Sequence, residues 1–337
     1  SLSGHGNVLL IAFHLIVAVL VGVPRCEAVV IRVPDDVPTI QAGLDSLADG
    51  DTILVAVGTY AEALVAPPHY FTLKGDVVPD PGEYPRPVVD PTSLPGSDSL
   101  ACLILPFDSH PVIEDFRFRN GPEMYPRHDF GDLGGIASWS SDVTMRNCLI
   151  DSVFYGFRQW LDLSNVLITL DRCQFRHDSM MCIYGAYAVW QVTDCYFSGQ
   201  GALLAQGTPH SRFIGCQFEE NSSGFLLQAW GDDLEIRNCV FGPRDPYPNA
   251  AVNVSDFRGV ISGNLFTGLH TYSALGVTIY DSNDVVVNGN TFVDNQGSNV
   301  QSGTAIHLMW ATGTGSGRWV AINDNVVSNC QSNAFCN

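Results

Sequence analysis

Basic residues are scarce in this chain of 337 residues: 16 Lys and Arg stand against 35 Asp and Glu, for a formal net charge of −19. Lys74 is the one lysine. Nucleic acid and anionic membrane both need a basic footprint, so this balance speaks against either as a partner. Zinc-type spacing is also missing, because none of the ten cysteines forms a CxxC pair or a Cys/His array. No long amphipathic helical run occurs, which excludes helical repeats. Charged residues make up only 15% and hydrophobic residues 46%, too apolar a mixture for disorder. An acidic surface of this kind suits a soluble extracellular protein, and its oxygen ligands suit Ca²⁺ if any metal is taken up.

Val8 to Val23 is apolar except for His14 and Gly22. At about 16 residues it is short of the ~20 needed to span a bilayer. Pro24-Arg25-Cys26-Glu27-Ala28 follows, and Cys26 and Ala28 satisfy the small-residue rule for signal cleavage. Residues 1–28 therefore read as a signal peptide, with no transmembrane span in the mature chain and a secreted, cell-surface or periplasmic location. Arg25 makes a lipid anchor on Cys26 the weaker option. Ser1 to Asn7 holds neither Met nor a basic residue, so the chain is expected to begin within a longer product.

Residues 29–337 read as one domain, with an N-terminal cap over 29–62 and coils over 63–337. Val30-Ile31-Arg32-Val33 has strand character, and Pro38-Thr39 precedes Ile40, Leu44 and Leu47 at helical spacing, with Thr39 as N-cap. A short helix there would cover the open edge of a strand stack.

A repeat then runs down the chain: an apolar residue, two polar or small ones, a Cys or Asn, one residue, and an aromatic or aliphatic residue. It appears around Cys148, Cys173, Cys195, Cys216 and Cys239, then with Asn at Asn264, Asn290 and Asn325. Most steps are 21 to 26 residues, and the last is 35. A looser copy sits at Ile113–Phe118. Such a period, with alternating apolar residues, predicts an all-β right-handed parallel β-helix of roughly ten coils. The cysteines should stack inward as buried free thiols, since parallel in-register side chains suit a disulfide badly. The asparagines should form an amide ladder. Cys330 and Cys336 are the best disulfide candidates. Nothing resembling a cap follows the last rung, so the stack is expected to continue beyond Asn337.

Pro34–Glu62, with Thr39-Ile40-Gln41-Ala42 and Gly58-Thr59-Tyr60-Ala61-Glu62, resembles the start of secreted bacterial β-helix proteins of the pectin lyase-like superfamily, and the coils from Ile113 to Val327 resemble its repeats. The resemblance implies the fold and a tie to polysaccharide, but the superfamily mixes lyases, hydrolases, esterases, epimerases, tailspikes and non-catalytic surface proteins. The hydrolase signatures Asn-Thr-Asp, Gly-His-Gly and Arg-Ile-Lys are absent, and Asp232-Asp233 sits at a turn. The esterase likeness stops at Gly58–Glu62. A lyase would need an Arg, Tyr or His as base, since Lys74 lies near the cap.

Candidates come from the strands between rungs. Outward positions there include Arg158, Tyr184, Gln228, Asn253, Tyr280 and His307, with Trp160, Trp230 and Trp310 at strand ends. Flat rings with amide partners are what sugar recognition requires. Arg158, His177 and Asp178 are the acid/base candidates, the last two read as lying in a turn with Arg176. Asn221-Ser222-Ser223 and Asn253-Val254-Ser255 match the glycosylation sequon. Two functions remain open: a secreted or surface protein that binds a polysaccharide or glycan, and an extracellular lyase or hydrolase acting on an acidic polysaccharide.

Overall fold

The computed structural model describes residues 27–77, 85–96, 100–120, 134–153, 155–160, 166–178, 181–186, 188–199, 203–206, 210–219, 225–242, 244–247, 251–271, 276–282, 284–297, 305–309 and 319–332. The proposed signal peptide (apart from Glu27 and Ala28), the 221–223 sequon, Trp310 and Cys336 lie outside these residues, and Cys330 is free.

Every strand pairing is parallel, and partners come from successive coils. Each full coil visits three faces. The first face carries Leu103–Leu105, Ile136–Trp139, Tyr155–Trp160, Met181–Ala186, Leu203–Gln206, Val277–Tyr280 and Ile306–Met309. The second runs from Val30–Val33 through Val143–Arg146 to Val320–Asn323. Two eleven-residue strands, Leu227–Arg237 and Val252–Ser262, turn from the first face into the second, so these two faces form one 20-stranded sheet. The third face is a separate 11-stranded sheet from Thr59–Tyr60 to Val326–Ser328. On the later coils a separate four-stranded sheet, from Arg244–Tyr247 to Gln331–Ser332, follows the third face in chain order.

The corner between the second and third faces explains the repeat. One residue there takes a left-handed conformation on coil after coil: Asp115, Asn147, Arg172, Asp194, Gly215, Asn238, Gly263, Gly289 and Asp324, with φ between 51° and 67°. Asn, Asp and Gly tolerate that region best, which accounts for their recurrence. At Gly215 any Cβ would run into the Asp194 carboxylate beside it. The next residue turns inward: it is Phe116 after Asp115, and the Cys or Asn of the motif on the later coils. Cys148, Cys173, Cys195, Cys216 and Cys239 are buried free thiols. Burial pushes the thiols of Cys148 and Cys195 well above their ordinary range, so they stay protonated and unreactive.

The ladder changes chemistry at Asn264. Its Oδ1 accepts from Cys239 N (2.9 Å), while its Nδ2 donates to Asn290 Oδ1 (2.9 Å) and to Ile236 O (2.9 Å). Asn290 repeats this with Asn325 Oδ1 and Ile261 O. Two residues beyond the rung lies an aromatic stack: Phe175, Phe197, Phe218, Phe241, Phe266 and Phe292, with ring centroids 4.6–5.2 Å apart and planes within 15°. Each buried Phe contributes about 1.5–3 kcal/mol by transfer from water. On the last described coil, Ile322 and Val327 continue the interior rows and are 44% and 57% exposed.

The capping helix forms over Ile40–Asp45, with Thr39 accepting from Ala42 N. Glu62 also closes its N-terminus, taking bonds from Ile40 N (3.0 Å) and Gln41 N (2.9 Å).

Phe218→Ala should lower unfolding free energy by about 3–5 kcal/mol in a urea titration, whereas Phe107→Ala, at an exposed position, should stay within about 0.5 kcal/mol. Asn290→Ala should cost about 2–4 kcal/mol because it strands several buried partners. Cys216→Ala should cost about 1 kcal/mol, since it removes only a small apolar side chain. Equal losses at Asn290 and Cys216 would contradict this account of the ladder.

Candidate functional site

The strands of the first face align residues of successive coils in two rows. The pairing runs Ala137, Arg158, Tyr184, Leu204, Gln228, Asn253, Thr278, His307, one residue per coil. Two residues further along each strand lie Trp139 beside Trp160, and Trp230, Ser255, Tyr280 and Met309 on successive later coils. Arg158, Tyr184, Gln228, Asn253 and His307 thus share one row, while Tyr280, Trp160 and Trp230 belong to the other. Side chains of the first five and Trp230 are half-buried, and Tyr280 is 41% exposed. The strand places Trp160, whose side chain lies outside the described residues.

Arg158 has a defined setting. Its guanidinium lies over the Tyr155 ring at 4.8 Å and over the Tyr184 ring at 5.4 Å, and the rings are themselves 5.8 Å apart. Two aromatic faces hold the guanidinium in place, so Arg158 is suited to holding an anionic group.

His177 and Asp178 do not lie in a turn. They end the strand Gln174–Asp178 on the third face, where the pairing with Tyr196–Gly199 slips after Arg176. Arg158 and this pair therefore occupy different sheets, and the side chains of His177 and Asp178 lie outside the described residues. Asp232 and Asp233 fall in the irregular middle of Leu227–Arg237, where the first face bends into the second. Asp233 sits 3.1 Å from His210 at that corner.

Lys74 is committed elsewhere. Its Nζ bonds Glu114 Oε2 at 3.0 Å, and Arg146 bonds the other oxygen at 2.8 Å. The hydrogen bond and charge of Glu114 hold Lys74 above its ordinary pKa, which makes it a poor base at neutral pH. Burial raises the Glu114 carboxyl, but the bonds from Arg146 and Lys74 outweigh it and hold the group low. Asp90 behaves alike: burial raises it, and bonds from Thr92, Arg119 and Asn120 bring it below the usual carboxylate range. Among the described residues no cluster of three or more His, Cys, Asp or Glu is placed to hold a metal ion.

A family model described as the right handed beta helix region matches residues 106–241 and again 134–273. The chain is a right-handed parallel β-helix protein. The A-module of mannuronan C-5 epimerase AlgE4 from Azotobacter vinelandii is similar to this β-helix at a TM-score of 0.50, with 14% identity over 88% of this chain and 92% of that one. The AlgE6 A-module from the same organism gives 0.45 and 12%, covering 88% and 91%. Tailspike protein 3 of bacteriophage CBA120 gives 0.47 and 12%, with 88% of this chain on 58% of that one. No curated protein sequence matches the chain. At 14% identity the likeness to the AlgE4 A-module bears on the fold alone. Among the described residues, no helix of this β-helix is long and apolar enough to cross a membrane.

Sequence reading missed Trp139, Thr278 and Tyr155. Trp139 falls within the 32-residue step from Phe116 to Cys148, where no regular rung anchors the count. Thr278 was passed over for Tyr280 because both alternate outward on one strand.

Glu114 and Asp90 have depressed folded pKa values, so their contribution is present above the unfolded values and lost as pH falls through the folded ones. The thermal midpoint should therefore drop as pH is lowered below about 4. Asp90→Asn should flatten that acid limb while lowering the midpoint at pH 7; an unchanged acid limb would contradict the assignment.

Proposed function

We propose that this β-helix binds polysaccharide along its first face, outside the cell, without performing chemistry on it. One observation carries the reading: Arg158, Tyr184, Gln228, Asn253 and His307 occupy equivalent outward positions in a single row, on coils stacked at strand spacing. A cation, a ring and amides repeated along one axis suit a polymer better than a small ligand, because each coil offers the same approach to the next unit. The parallel row of Trp139, Trp230 and Tyr280 supplies ring faces for apolar sugar surfaces. Among the described residues neither row contains Asp or Glu, so neither row supplies the paired carboxylates of a glycoside hydrolase. Arg158, with rings on its cation, fits a sugar carboxylate, which favours an acidic chain. Secretion through the leader at residues 1–28 and a single β-helix domain over 29–337 belong to the same proposal.

The test is affinity electrophoresis of the mature chain in acidic and neutral polysaccharides, with and without Ca²⁺, alongside assays for new reducing ends and unsaturated uronide. The expected result is retardation by an acidic polymer with no new product. Tyr184→Ala and Trp230→Ala should each weaken binding on the order of tenfold, about 1.4 kcal/mol. Unsaturated uronide would instead mean a lyase and reducing ends alone a hydrolase. Either product, or no retardation in any polymer, overturns the binding reading.

A further inference from the structure

A second site lies on the third face, near the cap. Thr59, Val88, Arg117 and Leu149 stand side by side on four consecutive coils. With Val57, Gly58, Pro85 and Arg86 they line a cavity of about 300 Å³. That volume is at the small end of ligand sites and suits one sugar ring rather than a chain. The lining holds two guanidinium groups and no carboxylate, in a protein whose net charge is −19.

The two arginines are fixed from behind. Arg117 Nη2 bonds Asp151 Oδ2 at 2.5 Å, which orients its planar fork, while its Nε is buried and has no hydrogen-bond partner. Arg86 NH2 donates to Asn147 Oδ1 at 3.2 Å, and Asn147 in turn donates to Asp115 at 2.5 Å. Asp115 and Asp151 are the nearby carboxylates, and neither lines the cavity. Planar guanidinium forks match planar carboxylates in a way that a point charge does not.

We propose that this cavity binds the carboxylate of a single uronic acid unit, between Arg86 and Arg117. The site is on a different face from the rows of Arg158 and Trp230, and the proposal does not depend on polymer binding there.

Calorimetric titration of the full chain with glucuronate, glucose and inorganic sulfate tests it. Glucuronate should bind at least tenfold more tightly than glucose. Arg86→Gln should weaken glucuronate binding at least tenfold, and Arg86→Lys should fall between, keeping the charge and losing the fork. Tyr184→Ala should leave glucuronate binding unchanged, which separates this site from the first face. A crystal soaked in glucuronate should show the carboxylate at Arg86 and Arg117, a readout that needs no variant. Equal affinity for glucose, unaltered binding in Arg86→Gln, loss in Tyr184→Ala, or tighter binding of sulfate than of glucuronate would each overturn the proposal.

Discussion

Everything in this rod depends on one corner. A left-handed residue between the second and third faces turns the chain, and from Cys148 to Asn325 the Cys or Asn that follows it is stacked coil on coil. Strand pairing alone would allow slippage by one residue, which would exchange inside and outside. The corner prevents it, because Asn, Asp and Gly enter that conformation at the lowest cost and, from Cys148 on, the side chain behind it is a Cys or Asn. Arg172 is the exception, and its exposed side chain lies against Asp171. The Phe stack two residues later then fills the interior at a spacing set by the strands.

Interior regularity determines the exterior. When corners stack, an outward residue on one coil has its counterpart directly beside it on the next, so the first face presents rows rather than scattered groups. The same constraint places Thr59, Val88, Arg117 and Leu149 along the third face. Both candidate sites are therefore consequences of register, with side-chain identity deciding what each row recognises: rings, amides and one sandwiched cation on the first face, two anchored guanidiniums on the third.

How legible this was depended on the corner too. The fold could be read because the Cys/Asn rung and the apolar residue after it recur at a nearly constant interval, and because Ile40, Leu44 and Leu47 mark a helix after Thr39. Arg158, Tyr184, Gln228, Asn253 and His307 could be placed outward from alternation. Their sharing a row could not be foreseen, since the other two corners vary in length and only pairing fixes which residues are neighbours. Tyr280 was grouped with that row although Thr278 is its member. His177 and Asp178 were read as a turn because they are polar, whereas pairing with the next coil keeps them in a strand. The Glu62 carboxylate on the helix end is a contact across 22 residues, with no local signal in the sequence.

The central claim is that stacked register makes the first face a linear site. From Arg158 to His307 the row spans six strand spacings, about 29 Å. The most direct measurement is the affinity of an acidic oligosaccharide series as chain length increases. The account predicts that affinity rises with each added sugar and levels off once the oligosaccharide spans the row. Affinity that is independent of length beyond one or two sugars would contradict it, because a single pocket rather than a stacked row would then be recognising the ligand.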